Sequence, residues 1–285
     1  MANSSSGESM LHRVVRLLSV FDEGNMAKSV ADIARRAGLP KTTAHRLIAE
    51  MVDERLLART EEGEIQIGVR LWELANRASS MTALREAALP YMEDVLSVVQ
   101  QHTTLGVLHA DQMLYIERLG AHSSAVSIAK IAKRLPLYAC SSGMVLLAYS
   151  PMNVQNEILG LPAKPFTRDT ITNARELRCY LAEARRDGFA VMAGAIVPES
   201  TGVAVPVFGA NNRIVAALNV IIPKGDVRPE AHVPVLKAAA LAISRELGWR
   251  RASILPVPVP RGAHAAPTVT SAYRIGASER RRVSP

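Results

Sequence analysis

The chain has 285 residues, of which 48% are hydrophobic, and a formal net charge of +8. This length is enough for two domains with hydrophobic cores, and the apolar content excludes general disorder. Its two cysteines exclude a disulfide framework and a cysteine-rich metal site. Because there is also no signal sequence and no long apolar run, we expect a cytoplasmic protein with no membrane contact.

The basic excess does not by itself indicate nucleic-acid binding. Residues 250–285 hold 7 Lys and Arg residues against 1 acidic residue, whereas residues 1–80 hold 11 of each kind. Any argument for DNA binding therefore depends on where the charges lie and not on their total.

The first predicted element is a helix from Met10 to Glu23, with apolar residues at helical spacing. Residues 29–54 then have the pattern of two short helices joined by a tight turn. Ser29 is a suitable N-cap, Gly38 ends the first helix, and Pro40 suits the first turn of the second. This pattern predicts a helix-turn-helix; the alternative is a helical hairpin with a solvated basic face.

The second helix of this pair has two different faces. Ala44, Leu47 and Ile48 predict a buried stripe, whereas the other stripe carries short donors and cations near a helix N-terminus, as a DNA-recognition helix does. Residues 57–60 and 64–67 then predict the two-stranded wing of a winged helix. Arg59 of this wing either contacts a DNA phosphate or is an ordinary exposed side chain. The predicted DNA-binding residues are Lys28, Lys41, Thr42, Thr43, His45, Arg46 and Arg59.

A further helix follows the wing at 69–83. Leu71, Trp72 and Ala75 give it an apolar side that a domain of this size cannot cover alone, so we interpret it as a linker and a contact between protomers. Two recognition helices about 34 Å apart meet successive major grooves. We therefore expect a homodimer or homotetramer on a palindromic operator in double-stranded DNA.

From residue 84 the pattern changes to strands in hairpins with helices between them. This pattern predicts an α+β domain on an antiparallel sheet. The predicted strands are 104–108, 114–119, 189–193, 202–208 and 214–222, and the predicted helices are 84–101, 141–149, 153–159, 173–187 and 230–247.

The stretch Ala139–Met144 is a potential ligand site, because a loop there opens a helix at about Ser141. Free N–H groups at a helix N-terminus suit an anion such as a carboxylate. The alternative is that Ser141 or Ser142 only caps the helix. Cys140 is either a reactive thiol or, as we favour, a small buried hydrophobe.

No motif in the chain indicates catalysis. The seven histidines have no metal-like spacing, and neither a GxSxG motif nor a glycine-rich phosphate loop is present. We therefore predict no enzyme activity, no catalytic residues, no metal site and no cofactor.

From about Leu11 to Gly248 the chain resembles the IclR family of bacterial transcription regulators. The resemblance is carried by AGLPKTTAHRL at 37–47, the wing, RLPLYACSSGMVLLA at 134–148, DGFAV at 187–191 and VAVPVFGANNRIVAALNV at 203–220. It implies a winged helix, a linker helix, a GAF-like effector domain, dimers or tetramers, and control by a small organic molecule, often an aromatic or short carboxylic acid.

The chain departs from the family where this effector is expected to lie. Residues 192–195 are Met-Ala-Gly-Ala in place of an acidic run, and Gly202 stands where cysteine is common. Both changes remove polar side chains and suggest a more apolar ligand, with an aromatic body. The expected effector-binding residues are Cys140, Ser141, Ser142, Gly143, Met144, Met192, Gly194, Ala195, Gly202 and Asn219.

The sequence thus predicts a two-domain protein, an α-rich winged helix-turn-helix followed by an α+β GAF-like domain with an antiparallel sheet. The expected division is a disordered N-terminus (1–9), a DNA-binding domain (10–68), a linker helix (69–83), an effector domain (84–249) and a disordered Arg/Pro-rich tail (250–285). The predicted function is a DNA-binding transcription regulator controlled by a small carboxylate. The alternative is an intracellular small-molecule-binding or hydrolytic protein that uses the helix-turn-helix for assembly.

Overall fold

The structure is a computed structural model, and it describes residues 8–21, 26–77, 80–120, 131–226 and 228–250. The chain divides into two compact units, Met1–Thr82 and Ala83–Pro285. The predicted disordered ends lie almost entirely outside the described residues. Glu8, Ser9 and Arg250 are exceptions, and Ser9 caps the first helix by accepting a hydrogen bond from the His12 N–H group (3.2 Å).

The first unit is a small helical domain with a three-stranded sheet. The sheet has the order β1-β3-β2 and is antiparallel. The two wing strands were predicted, but β1 was not, because a strand of two residues has no alternation to detect. The elements are α1 (Met10–Leu18), β1 (Ala27–Lys28), α2 (Val30–Arg36), α3 (Lys41–Asp53), β2 (Leu57–Arg59), β3 (Ile65–Ile67) and α4 (Val69–Arg77).

The helix-turn-helix formed by α2 and α3 has the predicted local signals. The Ser29 side chain accepts a hydrogen bond from the Asp32 N–H group at 3.2 Å, and Gly38 has a φ of +62°, which a side chain would disfavour. The predicted stripe of α3 is buried in the unit's core. That core includes Leu17, Ile33, Ala34, Ala44, Leu47, Ile48, Met51, Leu57 and Ile65.

The remaining elements, from α5 (Ser80–Val99) onward, form the second unit. Over the predicted linker helix, 69–83, the described residues are helical up to Arg77 as α4 and from Ser80 as α5, and residues 78 and 79 lie outside the described part. The elements are α5 (Ser80–Val99), β4 (His102–His109), β5 (Gln112–Leu119), β6 (Arg134–Pro136), α6 (Ser141–Ala148), α7 (Met152–Leu159), α8 (Ala174–Asp187), β7 (Ala190–Ala193), β8 (Ser200–Phe208), β9 (Ile214–Pro223) and α9 (Val233–Glu246), with short 3-10 turns at Leu137–Ala139 and Pro229–His232.

Six of these strands form one antiparallel sheet in the order β6-β5-β4-β9-β8-β7. The predicted fold class, a helix-turn-helix domain followed by an α+β domain on an antiparallel sheet, is confirmed. The short strand β6 was not predicted. At the other edge of the sheet, the Tyr180 hydroxyl accepts a hydrogen bond from the Val191 N–H group (3.0 Å) and donates one to the Val191 carbonyl. These two backbone groups of the edge strand β7 are therefore not open to another strand.

Helices cover both faces of the sheet. One core joins α6, α7 and α8 to residues such as Met192, Ala204 and Ala217. The alternate residues Val203 and Val205 of β8 are also fully buried, on the face that α9 covers. Within the described residues, no helix is both long and apolar enough to cross a membrane.

The helix α6 is held very close to the turn before it. A Cβ atom at Gly143 would lie 2.3 Å from the Leu137 carbonyl oxygen, a distance that requires the backbone to move. Only glycine therefore fits this position without a shift of the helix.

We expect Gly143→Ala to lower the free energy of unfolding by roughly 1–3 kcal/mol, because overpacking against backbone cannot be relieved by a side-chain rotation. Urea denaturation followed by circular dichroism measures this change. Gly225→Ala is the matched control, since nothing lies within 4 Å of the Cβ position there. Equal stability of the two variants would contradict the close contact.

Candidate nucleic-acid interface and ligand cavity

The outer face of α3 presents the predicted polar set to solvent. Lys41, Thr42, His45 and Arg46 are exposed, and Thr43 is half-buried at the margin. The helix has no side-chain cap, because Pro40 occupies the N-cap position. The first N–H groups of α3 are therefore open to a phosphate, which the positive end of the helix dipole favours.

The charges near this face are partly paired within the unit. Arg46 donates to Glu50, one turn further along α3, at 2.5 Å between Nη1 and Oε1. Arg35 and Arg36 of α2 both pair with Asp32, the second at 2.9 Å. Exposed pairs of this kind are weak, so they do not prevent these arginines from turning to DNA.

Lys28 does not lie where we predicted. Its side chain is 2% exposed in the strand β1, which pairs with β3, and its charge acts on the carboxylate of Asp32. A buried ammonium group cannot contact a DNA phosphate. The burial of Lys28 argues against its predicted DNA contact, and the residue pattern did not indicate this burial because it does not show the pairing of the short strand.

Arg59 lies at the exposed end of β2, in the wing. The wing turn is closed by the Thr60 N–H group donating to the Glu64 carbonyl at 2.8 Å, and Gly63 has a φ of +80°. The arginine is therefore presented by a fixed hairpin, although its contact with phosphate remains a prediction.

Arg16 is a residue of this region that the sequence did not reveal. Its guanidinium donates to the carbonyl oxygens of Ala37 and, at 3.1 Å, Gly38, at the turn between α2 and α3. The Glu8 carboxylate accepts a hydrogen bond from the same guanidinium, at 2.8 Å between Nη1 and Oε1. The arginine thus fixes the turn from α1, and only its position on the inner side of α1 could have suggested this role.

A cavity lies at the N-terminal end of α6, between this helix and the sheet. The volume open to the centres of water molecules is about 40 Å³. This is room for a few waters, since one water needs at least about 10–15 Å³. The lining is mostly apolar with a few polar groups. The lining residues are Tyr115, Leu135, Ala139, Cys140, Ser141, Met192, Ala195, Ile196, Ser200, Gly202, Asn219 and Ile221.

A chain of buried hydrogen bonds forms one wall of the cavity. The Ser141 hydroxyl donates to the Asn219 side-chain oxygen at 2.8 Å, and the Asn219 amide donates to the Thr104 hydroxyl at 3.0 Å. Gly202 makes the first bond possible, because a Cβ atom there would lie 2.4 Å from the Ser141 Oγ atom. The chain fixes the start of α6 to the strands β9 and β4.

Four of the predicted effector residues do not line the cavity. Ser142 is 1% exposed, lies beside Gly106 of β4 and has no hydrogen-bond partner for its hydroxyl among the described residues. Gly143 packs on backbone and Met144 is buried in the core. Gly194 is a turn residue with a φ of +68°, beside Asp169. The other six predicted residues do line it.

Five of the twelve lining residues lie outside the expected effector residues and the stretch 139–144, and four of these five come from strands separated along the chain. Tyr115 comes from β5 and Leu135 from β6, whereas Ile221 lies two residues beyond Asn219 on β9. Side chains alternate along a strand, so residues two apart lie on the same face. The prediction of Asn219 as a lining residue could therefore have been extended to Ile221. No local signal in the sequence indicates that Tyr115 lines the same cavity.

The turn of residues 194–199, which joins β7 to β8, closes one side of the cavity through Ala195 and Ile196. The hydroxyl of Thr167 donates to the Gly194 carbonyl at 2.7 Å, and that of Thr170 donates to the Ala195 carbonyl at 2.6 Å. This cavity turn is therefore held by a neighbouring segment and not by the sheet alone.

Cys140 is in an environment that keeps its thiol protonated. Burial raises the pKa of this thiol to about 12, and the Gly143 N–H group opposes the shift only in part. Cys140 is half-buried, and a protonated thiol favours the interpretation of a small hydrophobe over that of a reactive thiol. In the described part of the chain, no cluster of three or more His, Cys, Asp or Glu side chains could hold a metal ion.

Comparison with known protein families identifies both units. Residues 10–61 match the model of the IclR helix-turn-helix domain, and residues 76–245 match that of the bacterial transcriptional regulator IclR C-terminal domain. The two matches cover most of the described chain.

Individual relatives give the same result over nearly their full length. The chain is 33% identical to the HTH-type transcriptional regulator RhmR of Escherichia coli over 226 residues, which cover 78% of this chain and 87% of RhmR. It is 28% identical to XynR of the same organism, over 84% of this chain and 97% of XynR. An IclR homologue from Microbacterium hydrocarbonoxydans, whose crystal structure contains 4-hydroxybenzoate, is 41% identical with a TM-score of 0.80, over 84% of this chain and 99% of that one.

We expect Cys140 to resist alkylation in the folded protein. With a pKa of about 12, roughly one thiol in ten thousand is ionised at pH 8, and the thiolate is the reactive form. In a Cys179→Ser variant, iodoacetamide labelling followed by mass spectrometry reports Cys140 alone. A Cys140→Ser variant reports the exposed Cys179. Equal labelling rates in the two variants would contradict the burial of Cys140.

Proposed function

The chain belongs to the IclR family of bacterial transcriptional regulators, and from this membership we propose how its residues carry out regulation. The protein binds DNA through its helix-turn-helix, and a small organic effector modulates that binding. The alternative, a hydrolytic or small-molecule-binding protein, is not favoured, because the relatives over both units are transcriptional regulators. We propose that it acts in the cytoplasm, without enzymatic activity.

We propose that the N-terminal half of α3 enters the major groove of an operator. The exposed set on α3 supports this proposal, because Thr42, His45 and Arg46 project from one face beside the open N–H groups. Arginine reads guanine through two hydrogen bonds, and hydroxyls position phosphates. In this proposal Arg59 of the wing contacts phosphate and carries no sequence information.

We expect Arg46→Ala and Thr43→Ala to weaken operator binding, because each removes a base or phosphate contact, and a base contact costs about 1–3 kcal/mol. Fluorescence anisotropy with an operator fragment at fixed ionic strength measures this loss. Arg178→Ala is the control for charge, since this arginine is exposed in the other unit. Wild-type affinity in both α3 variants would refute the assignment of α3.

We propose that the DNA-binding unit works as a pair, in a dimer or a tetramer on a palindromic site. Apolar side chains on two of its helices are exposed: Trp72 of α4 is 66% exposed, and Leu11 of α1 is 73% exposed. A second copy of the chain would bury such side chains. Pairing would also set two recognition helices one helical turn of DNA apart.

We expect Trp72→Ala to shift the assembly toward monomers and to weaken operator binding at the same protein concentration, because the largest exposed apolar side chain of α4 is lost. Sedimentation velocity over a dilution series measures the shift. Phe166→Ala removes another exposed aromatic, 49% exposed, from the other unit and serves as the control. An unchanged sedimentation profile would make α4 a passive spacer.

We propose that the effector is a small aromatic carboxylate bound in the cavity at α6. The cavity has one polar wall, formed by Ser141, Asn219 and the start of α6, and a mainly apolar lining elsewhere. A carboxylate suits the N–H groups at the helix N-terminus, and a ring suits the apolar lining. The binding of 4-hydroxybenzoate by the Microbacterium homologue supports the same class.

The size of the cavity supports control by a change of conformation. The space of about 40 Å³ holds a few waters but not a benzene ring, so a ligand must widen it. We propose that the cavity turn, 194–199, moves outward with Ile196. A ligand that binds only the widened form shifts the protein toward that form, as regulation requires.

We expect benzoate-type acids to bind at least about tenfold more tightly than their uncharged amides, because an amide loses the charge-assisted hydrogen bonds. Asn219→Asp should abolish binding of the acids by repulsion, while operator binding persists without response to the ligand. Isothermal titration calorimetry gives both comparisons. Asn156→Asp, the same change on an exposed part of α7, is the control. Equal affinity for acid and amide would remove the carboxylate from this proposal.

A further inference from the structure

We propose that Tyr115 recognises a hydroxyl group on the ring of the effector, so that the protein distinguishes hydroxylated from plain aromatic monocarboxylates. This inference rests on the proposed effector class and adds a residue that sets specificity within it. It starts from one hydroxyl group that the described structure leaves without a partner.

Tyr115 is 3% exposed, and it lines the cavity. Among the described residues, none forms a hydrogen bond with its hydroxyl. Two other tyrosines of this unit that are partly buried do have partners: the Tyr138 hydroxyl donates to the Lys164 carbonyl at 3.0 Å, and Tyr180 bonds the edge of β7. Buried tyrosine hydroxyls are normally hydrogen-bonded. The unused bonding capacity of Tyr115 is therefore available to a molecule in the cavity.

The backbone of Tyr115 and the polar wall lie at different parts of the sheet that lines the cavity. Tyr115 pairs with Gly106 of β4, which pairs with Ala217 of β9, two residues before Asn219. Neighbouring strands are about 4.8 Å apart, so the backbone of Tyr115 lies roughly 10 Å across the sheet from β9. Along the strand direction it is level with Ala217 and not with Asn219. In this proposal, a ligand with its carboxylate at Ser141 and Asn219 reaches β5 with the far end of its ring.

The chemistry at the β5 side favours a neutral polar group. Burial raises the pKa of the Tyr115 phenol, so it stays protonated and can both donate and accept a hydrogen bond. Of the described residues that line the cavity, none is lysine, arginine or histidine. A second carboxylate would therefore be buried without a cation, which is costly, whereas a ring hydroxyl can bond the phenol.

The test compares wild-type protein with Tyr115→Phe by calorimetry, using benzoate, 3-hydroxybenzoate and 4-hydroxybenzoate as probes. We expect the wild type to prefer one hydroxybenzoate over benzoate by roughly 5- to 100-fold, the range expected when a buried hydrogen bond is lost. Tyr115→Phe should lose this preference and bind benzoate within about threefold of wild type. The better hydroxybenzoate shows which ring position faces β5.

Tyr180→Phe is the matched control, because it removes the same atom from a tyrosine that does not line the cavity. We expect it to keep the wild-type preference. If Tyr115→Phe kept the preference, or weakened all three probes equally, Tyr115 would be a structural residue and the inference would fail while the effector class stood. If the wild type bound none of the probes, the proposed effector class would fail and this inference with it.

Discussion

All eight residues of α6 are buried, and the second unit is built around this helix. A helix that is apolar on every side can only be stable when other elements enclose it. The sheet lies on one side of α6, while α7 and α8 contact it elsewhere. Because its N-terminus is also inside, the N–H groups there must meet protein or ligand instead of bulk water. The place of the cavity thus follows from the burial of the helix.

The same enclosure explains why the cavity is small, and it bears on the control by a ligand that we propose. Ser141 is fixed to Asn219, and Gly143 allows no shift against Leu137, so the helix side of the cavity is rigid. The cavity turn is held by hydroxyl groups of Thr167 and Thr170, whose bonds can be remade in another arrangement. In the proposed mechanism, the widening of the cavity therefore takes place at the cavity turn. A rigid side and an adjustable side give two states that a ligand can distinguish.

The sequence predicted features that depend on neighbouring residues and missed those that depend on tertiary contacts. The Ser29 cap and the Gly38 turn are local, so the helix-turn-helix was predictable. The burial of Lys28 was not predicted, because it comes from the pairing of β1 with β3. In α6 there is no polar stripe to define an orientation, so the residue pattern cannot show that Ser141 faces the cavity and Ser142 faces β4.

Gly202 has a consequence for how the ligand site can change over evolutionary time. A side chain at this position and the hydrogen bond between Ser141 and Asn219 exclude each other, since the Cβ atom would lie 2.4 Å from the Ser141 Oγ atom. A replacement of Gly202 would turn the Ser141 hydroxyl away from Asn219, and the start of α6 would lose the bond that fixes it to β9. The three positions should therefore be inherited as a set, and ligand preferences are better compared between relatives over this triplet than at any single residue.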